Sequence, residues 1–215
     1  MRILSRKAQS EILSKVIVLL ILLALSGVAY YWGSGLMEAQ GVRSEAEQIS
    51  STFLELRQKI IEVANSGNNS ARFVDISLDY GTLEIKSGEP CFGAIPGENI
   101  IIYSVSSRDM FVNSESWSLA DSENRNMLCT APYENSSSGV LLARSEEIDG
   151  KSNNQYALWF RALSETGSSK IFLINLTAGG TDLLFTKGPH QLRVESQGSS
   201  RAGIYEYATV LVSEV

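Results

Sequence analysis

Apolar and polar positions divide the chain into three parts with different periods. The first is an apolar run from Ile12 to Trp32, in which Lys15 is the single charged residue. At about 1.5 Å per residue, a helix of this length crosses a hydrocarbon core about 30 Å thick. The run therefore predicts a transmembrane helix over residues 9–33.

In the second part, apolar residues recur at the three- and four-residue spacing of an amphipathic helix. The stripe consists of Ile49, Phe53, Leu56, Ile60 and Val63. The charged residues Glu45, Glu47, Arg57 and Lys59 lie off this stripe. We predict an amphipathic helical stalk over residues 34–65, whose apolar face packs either under the C-terminal domain or against copies of itself.

Glycines are expected to shape both ends of this stalk. Gly33, Gly35 and Gly41 weaken a helix, so they are expected to bend or interrupt it. The stretch Asn65–Asn69 contains glycine and asparagine residues that suit a left-handed cap. The stalk is predicted to end there.

From Ala71 the period changes to two, which indicates β-strands. Two short runs around Asp79–Tyr80–Gly81 predict a hairpin, with Gly81 at positive φ. Further predicted strands are Ile100–Val105, Gly139–Arg144, Tyr156–Leu163, Lys170–Leu176, Asp182–Thr186, Gln191–Glu195 and Ile204–Val212. The last is apolar on both faces, which favours a central position in its sheet.

Many short strands separated by turns are typical of an antiparallel sandwich. The predicted fold class is therefore α+β: one N-terminal transmembrane and amphipathic helix, followed by an all-β antiparallel sandwich ectodomain over residues 66–215. Residues 113–138 are rich in serine and asparagine and lack periodicity, so they are predicted to be a long surface connection. Cys91 and Cys129 are candidates for one disulfide, the alternative being two free buried thiols.

Charge asymmetry around the apolar run predicts its orientation. Arg2, Arg6 and Lys7 precede the run, and the aromatic cluster Tyr30–Trp32 ends it. Basic residues stay in the cytoplasm and aromatic rings favour the headgroup layer, so the expected topology is single-pass, with the C-terminal domain outside the cell membrane. The net charge of −6 argues against nucleic-acid binding.

The residues before the run carry a family resemblance. Arg6–Lys7–Ala8 followed by Gln9–Leu13 and a long apolar helix resembles the leader of archaeal type IV pilin-like proteins. This resemblance covers roughly residues 2–35. It implies that a prepilin-type peptidase removes a basic leader, residues 1–8, by cutting between Ala8 and Gln9. The helix then stays on the mature protein and packs with copies of itself or other pilin-like subunits.

Two charged residues near the cut bear on this resemblance. In a bundle of such helices, Glu11 can pair with the positive helix end and the new α-amino group of a neighbour. The alternative for Glu11 is a solvated position among the headgroups. Lys15 departs from the apolar pattern of the family, so either it snorkels toward the headgroups or the segment is a plain signal anchor.

The sequence contains candidate glycan acceptors but no catalytic motif. Asn68, Asn135 and Asn175 each begin an Asn-X-Ser/Thr triplet, the first two in predicted loops and the third in a predicted strand. His190, the one histidine, follows Gly188–Pro189 and is more typical of a surface turn than of a catalytic base. The acidic residues Glu146, Glu147 and Asp149 could hold a calcium ion but are more typical of a solvated loop. The sequence therefore predicts neither an enzyme nor a cofactor or metal site.

Two functions of different classes follow. The first is a structural subunit, major or minor, of a type IV pilus-like surface filament that could serve adhesion. The second is a singly anchored surface module that binds a ligand or partner without polymerising.

Overall fold

A computed structural model describes residues 6–88, 98–121, 124, 126–179 and 183–215 of the chain. One long helix, α1, extends from Arg6 to Asn65. It continues through Gly33, Gly35 and Gly41, so the predicted interruption does not occur. It ends as predicted, where Gly67 adopts a φ of 83° and the Ser66 hydroxyl donates to the carbonyl oxygen of Glu62.

The rest of the described chain is mainly β-structure, so the α+β class is confirmed. The strands are β1 Ala71–Leu78, β2 Thr82–Lys86, β3 Ile100–Ser107, β4 Ser118–Leu119, β5 Thr130–Pro132, β6 Gly139–Ile148, β7 Lys151–Phe160, β8 Ala162–Ser164, β9 Ile171–Ala178, β10 Leu183–Phe185, β11 Gly188–Ala202 and β12 Tyr205–Glu214. A short 3-10 turn spans Tyr133–Asn135. Asp182, the first residue of one predicted strand, lies outside the described residues.

The chain forms two compact units, residues 1–41 and residues 42–215. The described part of the first is helical. The second contains the C-terminal part of α1 together with all the described strands. The helical segment 42–65 therefore belongs to the same compact unit as the sheets.

The described strands form two six-stranded sheets. One sheet is antiparallel throughout, in the order β10-β2-β3-β7-β6-β4. The other, in the order β1-β11-β12-β9-β8-β5, is mixed, because β9 runs parallel to β12 and β5 runs parallel to β8. The prediction of antiparallel pairing is thus wrong for these two pairs. Between β9 and β12 the chain visits β10 of the other sheet, and such a crossover allows parallel neighbours.

The last strand occupies a central position, as predicted. Strand β12 lies between β11 and β9, and its residues Val210 and Val212 are fully buried. A strand with neighbours on both sides makes all its ladder hydrogen bonds within the sheet.

One apolar core joins both sheets and the helix. It contains side chains of α1, of β1, β9, β11 and β12 in the mixed sheet, and of β2, β3, β6, β7 and β10 in the antiparallel sheet. Asn99 connects the sheets through polar bonds. Its side-chain amide donates to the carbonyl oxygens of Phe160 and Ile174, and its Oδ1 accepts from the Leu176 amide at 2.7 Å. Asn99 is fully buried, and these bonds satisfy its side chain.

The predicted hairpin at Asp79–Tyr80–Gly81 is wrong. Strand β1 pairs with β11 and strand β2 pairs with β3 and β10, so the chain crosses here from one sheet to the other. Gly81 does not have positive φ. Glycine is needed at this position for steric reasons, because a Cβ atom here would collide with the ring of Tyr103. Both a hairpin turn and a close approach favour glycine, so the sequence pattern could not separate them.

A hairpin that we did not predict connects β6 and β7. Asp149 and Gly150 adopt φ values of 51° and 73°, and Ile148 pairs with Lys151. An Asp-Gly turn with positive φ at both residues is typical of a two-residue hairpin. The acidic residues Glu146 and Glu147 therefore lie on an exposed strand end, not in a solvated loop.

The described part of residues 113–138 is more structured than the predicted surface connection. Trp117, Leu119 and Cys129 pack against a second apolar cluster on the antiparallel sheet, formed with Ile100, Ile102, Val140, Leu142, Ala157 and Trp159. Arg161, fully buried, donates to the side-chain oxygens of Asn124 at 2.7 Å and Asn126 at 2.9 Å. The segment is thus partly a cover for the sheet. Its polar composition reflects hydrogen bonds to a buried guanidinium as well as exposure to water.

Candidate functional site

The N-terminal half of α1 carries the largest candidate functional surface. Between Leu13 and Trp32, its large apolar side chains are 46% to 79% exposed. Among the described helices this is the one long and apolar enough to cross a membrane, with a mean hydropathy of 2.3 in a window that is 0% buried. Soluble proteins rarely leave a continuous apolar surface of this size in water. The segment is therefore suited to an apolar environment.

The ends of this surface differ in chemistry. Lys15 is exposed two residues after the described side chains begin, and its flexible stem can carry the ammonium group toward the headgroups. At the other end, Tyr30, Tyr31 and Trp32 are more than 70% exposed. Amphipathic rings of this kind are enriched where hydrocarbon meets water. The orientation inferred from these ends stays a prediction.

The predicted cleavage and assembly residues lie at the start of the described helix. Ala8, Gln9 and Glu11 lie within the first turns of α1. The first five residues of the predicted leader lie outside the described part of the chain. Cleavage between Ala8 and Gln9, and pairing through Glu11, therefore stay predictions.

The predicted apolar stripe of the stalk is confirmed as part of the core. Ile49, Phe53, Leu56, Ile60 and Val63 are each at most 1% exposed. They join the same apolar cluster as the two sheets. Of the two alternatives for this face, packing under the C-terminal domain is the one observed.

Glu45 attaches the helix to the crossing between β1 and β2. Its carboxylate accepts hydrogen bonds from the backbone amides of Asp79, Tyr80 and Gly81 at 2.8, 2.9 and 3.0 Å. It also accepts from the hydroxyl of Tyr103 at 2.8 Å. Hydrogen bonds to an ionised acceptor are stronger than neutral ones, and four of them offset the burial of the charge.

Tyr103 is correspondingly held in its neutral form. Burial raises the pKa of its phenol well above the usual range, and the hydrogen bond to the Glu45 carboxylate raises this pKa further. The phenol therefore acts as a permanent donor to Glu45.

A second buried charge, Arg57, connects the helix to Asp121, which lies in the segment 113–138 that partly covers the antiparallel sheet. Its guanidinium lies 3.0 Å from Asp121 Oδ2, and the two side chains are 9% and 6% exposed. The same carboxylate oxygen accepts from the Leu141 amide at 3.1 Å. A Cβ atom at Gly139 would lie 2.7 Å from Arg57 Cγ, so glycine makes room for the arginine stem.

Sequence reasoning missed both of these attachments because it placed Glu45 and Arg57 outside the apolar stripe. The spacing of these two residues relative to the apolar stripe could have indicated that they are buried. Glu45 is four residues before Ile49, and Arg57 is four residues after Phe53, so both share the buried face of the helix. A charge at a buried helical position predicts a partner, but the sequence does not identify it.

The cysteines and sequons are described only in part. Cys129 is disulfide-bonded, whereas its predicted partner, Cys91, lies outside the described residues. Asn68 is exposed in the turn after α1. Asn135 lies in the 3-10 turn, and its side chain is not described. Asn175 lies in β9 with a buried, unpartnered Oδ1, so of the two described side chains Asn68 is the more accessible acceptor.

His190 is not in a surface turn but in β11, where its ring bonds Glu214 and Thr186. Over the described residues, no cluster of three or more His, Cys, Asp or Glu side chains suits a metal ion. The residues of the candidate site are thus those of the apolar helix and its attachments.

Comparison of the chain with protein-family models, with curated proteins and with solved structures finds no match.

Proposed function

We propose that this protein is a pilin-like structural subunit, major or minor, of a cell-surface filament. Its retained N-terminal helix packs with other such helices, while residues 42–215 form an outward-facing β-sandwich domain. The supporting observation is the exposed apolar surface of α1 from Leu13 to Trp32, in one continuous helix with the segment buried in the domain core. Such a surface needs lipid before assembly, and neighbouring helices can replace that lipid afterwards.

The proposal includes processing by a prepilin-type peptidase between Ala8 and Gln9. Intact-mass analysis of protein extracted from membranes of the native host tests this step. The expected mass corresponds to a chain that begins at Gln9. A mass that corresponds to a chain still carrying residues 1–8 would contradict the pilin-like hypothesis and favour a plain signal anchor.

Assembly is tested through the charge of Glu11. In a bundle, this carboxylate would be partly desolvated, so its pairing with a neighbouring amino group would be stronger than a surface pair of about 0–1 kcal/mol. Glu11→Gln should lower the yield of filaments, while membrane insertion and unfolding of the domain stay unchanged. Glu38→Gln is a matched control, because Glu38 is exposed on the same helix beyond the apolar surface.

The filament test needs a readout that also detects a minor subunit. Immunolabelling of native host filaments, together with overexpression of the unmodified chain, provides it. Labelled filaments that become fewer with Glu11→Gln and not with Glu38→Gln are expected. Unlabelled filaments, or equal numbers from both variants, contradict the structural role.

One observation favours the second candidate function, a singly anchored binding module. The outward face of α1 beyond Val42 is polar, with Arg43, Glu47, Gln58 and Glu62 paired along the helix at four-residue spacing. Leu54 is the one exposed large apolar side chain on that segment. This face offers little apolar surface to a neighbouring helix, so a module that stays dispersed in the membrane agrees with it. Single copies in labelling experiments would support this candidate.

A further inference from the structure

The imidazole of His190 lies between two hydrogen-bond acceptors. Its Nδ1 is 2.7 Å from Glu214 Oε1, and its Nε2 is 2.6 Å from the carbonyl oxygen of Thr186. A carboxylate and a backbone carbonyl accept hydrogen bonds and do not donate them. Neutral imidazole has one N–H group, so only the imidazolium makes both bonds at once.

The bond to Thr186 connects the two sheets, whereas the bond to Glu214 joins β11 to β12 within the mixed sheet. Thr186 directly follows β10, which is an edge strand of the antiparallel sheet, whereas Glu214 is the last residue of β12 in the mixed sheet. The ring also packs edge-on against Phe185 of β10, with ring centroids 5.2 Å apart. The side chain of His190 is 14% exposed, so protons from solvent can reach it.

The surroundings of the ring favour its charged form. Among the described contacts of His190, Glu214 is the charged group, and the partner of His190 on β1 is the apolar Ile76. Nearby, Asp75 accepts a hydrogen bond from Gln191. The hydrogen bond to Glu214 raises the pKa of His190 above its ordinary 6.5; burial opposes this, and the Thr186 carbonyl supports it.

We propose that His190 of β11 is a proton-dependent latch that holds the end of β10 against the mixed sheet. When the ring is protonated, both bonds form and the edge strand is fastened to the other sheet. When the ring loses its proton, its one N–H stays with the stronger acceptor, the Glu214 carboxylate, so the bond to Thr186 is lost and this corner loosens. Because the folded pKa is raised, the stabilisation is complete below pH 6.5 and disappears as the pH rises through the folded pKa.

Loosening this corner would have a structural consequence. Strand β10 covers one edge of β2. An uncovered edge strand presents unpaired backbone groups to which another strand can add. The latch would thus protect that edge at pH values below the folded pKa of His190.

The first test measures the titration of His190 in the full-length protein in detergent micelles. The chain contains one histidine, so selective ¹³C labelling of histidine gives one ring signal to follow. The expected midpoint lies above 6.5 and moves toward 6.5 in Glu214→Gln. In the control Glu206→Gln, on the same strand, the midpoint should not move. A midpoint at or below 6.5, or one that Glu214→Gln leaves unchanged, overturns the proposal.

The second test measures hydrogen exchange of the β10 amides, expressed as protection factors that remove the intrinsic pH dependence. From pH 6 to pH 9, protection over residues 183–187 should fall about three- to tenfold. In His190→Gln it should already be low at pH 6. If that variant does not fold, His190→Ala at the same position gives the same readout, whereas Glu214→Gln should keep protection high at both pH values, because its NH2 group can donate to Nδ1 of the neutral ring while Nε2–H donates to Thr186. Equal protection at both pH values in the unmodified protein overturns the latch.

Discussion

Single buried charges connect the helix to the sheets. A carboxylate taken out of water is tolerated when its oxygens keep strong donors, and Glu45 has four of them. Three are backbone amides of the crossing between β1 and β2, where no neighbouring strand provides acceptors. The crossing is therefore shaped by one side chain of the helix.

Removing this acceptor should destabilise the domain strongly. Glu45→Gln replaces one oxygen by an NH2 group that faces fixed N–H donors, so a loss of about 3 kcal/mol in the free energy of unfolding is expected. Tyr103→Phe removes one bond and should cost about 1 kcal/mol. Urea unfolding followed by circular dichroism measures both changes. Glu47→Gln, at an exposed position of the same helix, should stay within about 0.5 kcal/mol. Equal midpoints for Glu45→Gln and Glu47→Gln would contradict this role.

At the scale of elements, alternation predicted the strands well and their pairing poorly. The strands predicted at Ile100–Val105, Gly139–Arg144 and Lys170–Leu176 all form strands. Alternation shows which face is buried but not which strand is adjacent, so the β1–β2 crossing was interpreted as a hairpin. The buried network around Arg161 was also missed, because serine and asparagine are typical of loops whether or not they bond a buried charge.

The C-terminal segment of α1 is a core element, and adjacent residues can test this. Phe53 is fully buried, whereas its neighbour Leu54 is 37% exposed. Phe53→Ala should lower the free energy of unfolding by about 3–5 kcal/mol, through lost burial and the cavity left behind. Leu54→Ala should change it by less than about 1 kcal/mol. Thermal unfolding of the two variants in the same detergent provides the comparison. A larger loss for Leu54→Ala would mean that the outward face of this helix carries the packing.

At the scale of the whole molecule, the domain boundary matters for both candidate functions. The compact unit begins at Val42, inside the helix, and not where the helix ends. The sequence placed the change of period near residue 66, and that change is real. A change of period marks a change of secondary structure, however, and the amphipathic helix buries its stripe in the same core as the strands.

We therefore expect residues 42–215 to fold as a soluble unit and residues 66–215 to fail. Deletion of residues 42–65 removes seven buried apolar side chains, Val42, Ala46, Ile49, Phe53, Leu56, Ile60 and Val63. At about 1.5–3 kcal/mol for each large side chain, the loss is on the order of 10 kcal/mol, comparable to the whole stability of a domain. It also leaves Asp121 without Arg57, and the crossing amides without Glu45.

Far-UV circular dichroism and urea unfolding of the two fragments, expressed with the same tag, provide the comparison. The longer fragment should unfold cooperatively, whereas the shorter one should aggregate or show no cooperative transition. A synthetic peptide of residues 42–65 should restore cooperative unfolding to the shorter fragment, since the missing surface is supplied in trans. The same peptide with Phe53→Ala should restore it less well. If residues 66–215 alone unfold at the same urea concentration as residues 42–215, the helix is an accessory to the domain and its buried charges carry no structural role.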